Sequence, residues 1–216
     1  MLIDNILNSK EAPTKSPKLV LIYSEGEKRE KGYINYFKRR SSQIKLEIET
    51  VPEAGIDGSD GNNSPTGLLN LAKHHLISKE DGSSLKYDLV EDDEVWFLID
   101  TDEWGDKIDT LYEGANVNNW QVVQSNPCFE VWLYYHHFTD KPSFEDYEKS
   151  TAWKSALNDL VSGGFNSNKH SSLITEAIEN SQANHEEDNS KPIAGCTSVF
   201  KLGISLYELT KSKLDT

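Results

Sequence analysis

EVWFLIDTDEWGD, residues 94–106, is the stretch whose reading decides the fold. Val95 to Ile99 form an unbroken apolar run that is β-rich and short. Such a run is expected of a strand buried on both faces of a parallel sheet. It stops on Asp100, and Asp102 follows two residues later. A second run of the same kind, KLVLIY at 18–23, is expected to be the first and central strand, and Glu25 stands just beyond it.

Working outward, SEGEKREKGYINYFKRR opens a turn into a helix with Tyr33, Ile34 and Phe37 on one side. IKLEIETV alternates apolar Ile44, Leu46 and Ile48 with Lys45, Glu47 and Glu49, the period of a half-exposed edge strand. Ser64 and Pro65 read as the N-cap and first residue of a helix that carries LLNLAKHHLISK. IDTLYEGAN reads as a helix, WQVVQSN as a third buried strand, and SNPCFEVWLYYHHF as a strand-to-helix junction. Alternating strands and helices with short connections predict an α/β fold, a mainly parallel sheet flanked by helices. Beyond residue 141 the strand signal ends and three helical patterns follow. The expected organisation is an arm over 1–17, an α/β domain over 18–140 and a helical C-terminal extension over 141–216 packed on that domain.

The chain has 216 residues, enough for one domain with a substantial core. Its 22 basic and 36 acidic residues give a net charge of −14, which repels phosphate polymers at long range. Tight unaided binding to duplex is thereby disfavoured. Two cysteines, Cys128 and Cys196, do not make a zinc ribbon or a disulfide framework, and reduced thiols in a cytoplasmic protein are expected. The N-terminal stretch lacks the pattern of a signal peptide, and no apolar run approaches the roughly 20 residues that span a bilayer.

Ligands of open parallel sheets bind beyond the carboxyl ends of the strands. Glu25, Asp100 and Asp102 are placed there, and two residues two apart on a strand share a face. A sparse set of hard carboxylates suits Mg²⁺ or Mn²⁺, which keeps waters and takes substrate phosphate as a further ligand. Lys28, Arg29, Arg39 and Arg40 flank the glutamate turn and are candidate phosphate contacts. His74 and His75 are adjacent on a helix, cannot grip one metal from one face, and are expected at the surface. The loop from Gly55 to Gly67 lacks the lysine and hydroxyl pattern of a P-loop.

SEGEKREKGYINYF, EVWFLIDTDEWGD and SNPCFEVWLYYHHF together resemble the RloB-like family of bacterial proteins. Its pattern joins an E-G-x-x-T-E-x-x-Y-F start, a D-x-D strand end and an S-N-P-x-F-E-x-W-x-x-x-H segment. The resemblance covers roughly residues 18–140, with a weaker likeness near TSVFKLGISLYEL, and implies a Toprim-like fold, in which Glu25 matches the Toprim glutamate and Asp100 and Asp102 its aspartate pair. Glu30 and Tyr33 match the first pattern, while Arg29 stands where the family usually has threonine. The third pattern points to Glu130, Trp132 and His136, whereas helical spacing pairs Glu130 with His137, so either imidazole remains open. Ser125 and Asn126 are expected to cap that helix and orient phosphate, with Glu130 completing the metal shell.

What the resemblance implies is a metal-dependent nuclease for DNA or RNA, in defence against foreign nucleic acid and beside an ATPase partner protein. Glu25, Glu130 and His136 would then be catalytic. A non-catalytic binding subunit on the same scaffold is the alternative. The chain is too short for a topoisomerase and lacks the zinc ribbon of a primase.

Overall fold

The computed structural model describes residues 17–40, 44–52, 63–77, 84–101 and 104–214. In chain order these form β1 (Lys18–Ser24), α1 (Arg29–Lys38), β2 (Ile44–Glu49), α2 (Pro65–Leu76), β3 (Glu94–Asp100), α3 (Asp106–Val117) and β4 (Gln121–Ser125). The second half holds α4 (Glu130–Tyr134), α5 (Ser150–Leu160), α6 (Ser167–His170), α7 (Ile174–Ala183), β5 (Glu187–Asp188), β6 (Lys191–Pro192) and α8 (Phe200–Thr210).

Four strands make one parallel sheet in the order β2-β1-β3-β4, so β1 is interior as its unbroken apolar run requires. Val20 and Ile22 of β1, with Trp96 and Leu98 of β3, join a core on one face built from Tyr33, Phe37, Trp132, Trp153 and Leu202. Leu21 and Tyr23, with Phe97 and Ile99, join a second core with Leu68, Ala72 and Leu111. Thus α1 and the C-terminal helices cover one side of the sheet, and α2 and α3 the other. β2 is an edge strand, and its alternation is that of an element with one face wet. Ser64 caps α2 as its sequence predicts, its side chain accepting from Gly67 N–H at 3.2 Å, with Pro65 in the first turn.

Three expectations are corrected. His75 is buried rather than at the surface, with Nδ1 3.2 Å from the Tyr23 hydroxyl, because it continues the inward stripe of Leu68, Leu71 and Ala72. Strand structure does not stop at residue 141, since β5 and β6 pair antiparallel across Asn189 and Ser190, both at positive φ as in a type I′ turn. Ser125 and Asn126 do not cap α4, which starts five residues beyond Ser125 without a side-chain cap. Ser125 Oγ instead lies 2.8 Å from Thr197 Oγ1, and Asn126 Nδ2 donates to the Pro192 carbonyl at 2.8 Å. The segment running from β6 toward α8 therefore covers the outer edge of β4: Ser198 N–H donates to Gln124 O, and Asn126 N–H to Cys196 O. Most of the Gly55–Gly67 loop lies outside the described residues. Among the described residues no helix is long and apolar enough to cross a membrane.

Candidate functional site

Strand order reverses at β1: the chain leaves it through α1 toward β2, then returns to β3 on its other side. The loops after β1 and β3 consequently part, and a crevice opens between the two strand ends. Glu25 stands at this point, its backbone N–H donating to Leu98 O at 3.2 Å. Two described donors hold its side chain: the Trp104 indole N–H donates to Oε1 at 2.8 Å, and the Asp100 backbone N–H donates to Oε2 at 3.4 Å. An aspartate's carboxylate oxygens lie within about 5 Å of its own amide nitrogen, which places the Glu25 and Asp100 carboxylates within roughly 8 Å of each other.

A cleft of about 500 Å³ gathers five acidic residues, Glu25, Glu27, Glu30, Asp100 and Glu130, bordered by the cations Lys28, Arg29 and Lys154. Glu130 begins α4, and its side chain is only 4% exposed; Arg29 Nε lies 3.2 Å from its Oε1. Glu30 is also buried, and desolvation, helped by the Glu130 charge, lifts its carboxyl above the usual range. Gly26 makes this packing possible. A Cβ at residue 26 would fall 1.9 Å from Glu30 Oε2, so the E-G pair leaves room for the carboxylate two residues into the chain's first helix. Gly26→Ala is expected to destabilise by about 1–3 kcal/mol through overpacking. Urea titration of a double-mutant cycle with Glu30→Ala should show most of that cost relieved when the carboxylate is gone.

The donors in the cleft are oxygens, the chemistry that suits Mg²⁺ or Mn²⁺. Cys128 adds no thiolate, because burial and then the nearby Glu130 and Asp100 charges push its thiol well up. Among the described residues, no group of three Asp, Glu, His or Cys side chains converges closely enough to hold a metal ion. Glu25 and Asp100 would supply two carboxylates, and Mg²⁺ completes its shell with water and phosphate. Asp102, the third expected ligand, lies outside the described residues.

The sequence profile of the RloB-like protein family matches residues 20–204. The chain belongs to the RloB-like family. No curated protein and no solved structure matches it. The matched span of this RloB-like protein runs from the 18–140 region through α5 to α7 and into α8, where the weaker likeness near TSVFKLGISLYEL lies.

The remaining expected residues of this RloB-like chain separate into two groups. Lys28 is exposed at the start of α1 and Arg29 pairs with Glu130, so both border the cleft. Ser125 is fully buried against Thr197, and Asn126 faces a neighbouring cavity. His136 does not line the cleft. It is 2% exposed, its Nδ1–H donates to Trp132 O at 3.0 Å, and its Nε2 accepts from the Tyr33 hydroxyl at 3.2 Å. It therefore positions Tyr33 from within the core. His137 is exposed and packs edge-on to His170, with ring centroids 4.6 Å apart.

Burial, with lesser repulsion from His137 and His170, pulls the His136 imidazole down to about 3. In the unfolded chain the same group takes its proton near 6.5. Between those values the unfolded state binds more protons, so the contribution of His136 is fully present above about 6.5 and is lost on acidification. Stability is expected to fall by up to roughly 1.4 kcal/mol per pH unit from 6.5 to 5. Chemical denaturation across that range should show a shallower slope in His136→Gln.

Reading from sequence missed Trp104 as the partner of Glu25, and Lys154 and Asn158 as the α5 wall of the cleft. Trp104 stands inside the stretch that carries Asp100, so its nearness was visible. Nothing local marks Lys154.

Proposed function

We propose that this RloB-like protein is a metal-dependent nuclease that hydrolyses phosphodiester bonds of DNA or RNA, acting in defence against foreign nucleic acid. The observation that carries this reading is the meeting of Glu25, Asp100 and Glu130 in one cleft at the point where strand order reverses. Glu25 and Asp100, joined by Asp102, would hold Mg²⁺ or Mn²⁺. Such an ion, when bound, stabilises charge on the attacked phosphate and acidifies an attacking water.

The chain's own groups would do the rest. Lys28 and Arg29 orient the phosphodiester from the rim, and substrate phosphate competes with Glu130 for the Arg29 guanidinium. Glu30, with its raised carboxyl, is suited to hold a proton near the reacting oxygens. The −14 charge opposes polymer binding by the lone chain, which fits an ATPase partner that recruits substrate or gates access.

The test incubates purified protein with Mg²⁺ or Mn²⁺ and end-labelled DNA, RNA and transfer RNA, alone and with the proposed ATPase partner. Cleavage that Glu25→Gln abolishes is the expected result. Intact substrates in every arm, partner included, would overturn the enzyme reading and favour a binding subunit built on the same scaffold.

A further inference from the structure

Next to the acidic cleft lies a larger cavity of about 890 Å³, within the size range of small-ligand sites. Thr101, Trp104, Lys107 and Asn126 form its sheet side, and Glu148 and Lys149 its opposite side ahead of α5. Trp104 joins the two spaces. Its indole N–H is bonded to Glu25 at 2.8 Å, while the residue also lines the cavity, with the Lys107 ammonium 5.1 Å from the ring centroid. Thr101 follows Asp100 directly.

We propose that this cavity is a nucleoside subsite, in which one base of a single-stranded nucleic acid stacks on Trp104 beside the phosphate presented to Glu25 and Asp100. This rests on the phosphodiesterase reading and adds the form of its substrate. An indole ring with an ammonium group over one of its faces pairs the two groups that bind single strands, a stacking surface and a phosphate contact. Asn126 and Thr101 supply the amide and hydroxyl chemistry that base edges accept. A base seated there has left any duplex stack, which selects single strands or flipped nucleotides.

The test measures binding rather than turnover. Fluorescein-labelled hexanucleotides, one DNA and one RNA, and a blunt duplex are titrated by anisotropy at low ionic strength with Ca²⁺, a hard cation for the carboxylates. Wild-type protein is expected to bind the single strands. Trp104→Leu should weaken that binding about tenfold or more, the size of one base–aromatic stack. Trp104→Phe, which keeps a stacking face but loses the bond to Glu25, should stay within about threefold of wild type. Lys107→Ala should weaken binding and make its salt dependence shallower by about 0.7 in log–log slope. Circular dichroism confirms that each variant is folded. No single-strand binding by wild type, or equal binding by Trp104→Leu and Lys107→Ala, overturns the subsite.

Its failure is separable from that of the enzyme reading. Cleavage with an unchanged KM in Trp104→Leu removes the subsite and leaves the nuclease. Trp104-dependent binding of single strands that are never cleaved, even with metal and partner, removes the nuclease and leaves the subsite.

Discussion

Asp100→Asn is expected to lower metal-dependent phosphodiester hydrolysis by at least about a hundredfold while leaving the fold intact. The carboxylate closes β3 at the crevice, and its loss would take from the proposed metal site a charged ligand that a neutral amide replaces poorly. Electrostatic help from a bound metal amounts to several kcal/mol, and each 1.4 kcal/mol or so is tenfold in rate. The backbone is untouched: Asp100 pairs in register with Ser125, and its N–H still donates to Glu25. Melting temperature should therefore move by no more than about 2 °C, the shift expected of well under 1 kcal/mol. Calorimetric titration with Mn²⁺ supplies a second readout, in which the variant should bind the ion at least about tenfold more weakly. Wild-type turnover or Mn²⁺ affinity in Asp100→Asn would remove Asp100 from the site.

Trp132→Ala is expected to cost about 3–5 kcal/mol, the range for deleting a large buried aromatic. The ring is fully buried, edge-on to Tyr33 and to His136 at centroid distances of 6.2 and 5.1 Å. A Cβ on Gly203 of α8 would come 2.9 Å from its ring edge, which shows how closely that helix approaches. Because a small domain is stable by only about 5–15 kcal/mol, this is a large fraction of the total. The effect reaches the cleft, since Glu130 is the first residue of the same short helix. A helix of five residues has no stability of its own in water and stays in place through packing. Urea unfolding should show a lower midpoint at unchanged slope. Gly203→Ala, pressing on the edge of the same ring, should cost about 1–3 kcal/mol. A Trp132→Ala midpoint within error of wild type would show that α4 is anchored elsewhere.

These two residues mark the limits of what the amino-acid pattern discloses. Asp100 is legible because an apolar run that ends in an acid names both a buried strand and its carboxyl end, and the same reasoning finds Glu25. Trp132 is recognisable as core, but its packing against Gly203 of α8 is not. His75 was legible in principle, since Leu68, Leu71, Ala72 and His75 share helical spacing, yet polarity argued for the surface. The Arg29–Glu130 pair and the approach of Lys154 could not be read at all. Neither follows from spacing within one element.

By itself, the order of residues determined the four strands of the main sheet, their parallel arrangement and the placing of Glu25 and Asp100 at strand ends, because burial period and chain alternation are local properties. Only the tertiary structure decided that Ser125 is tied to Thr197, 72 residues away, that His136 is enclosed behind Tyr33, and that Trp104 bridges Glu25 to a second cavity. The physical reason is that a polar side chain takes whichever partner the packed chain brings within hydrogen-bonding distance. That partner is chosen by long-range packing, which leaves no periodic trace in the segment that carries the side chain.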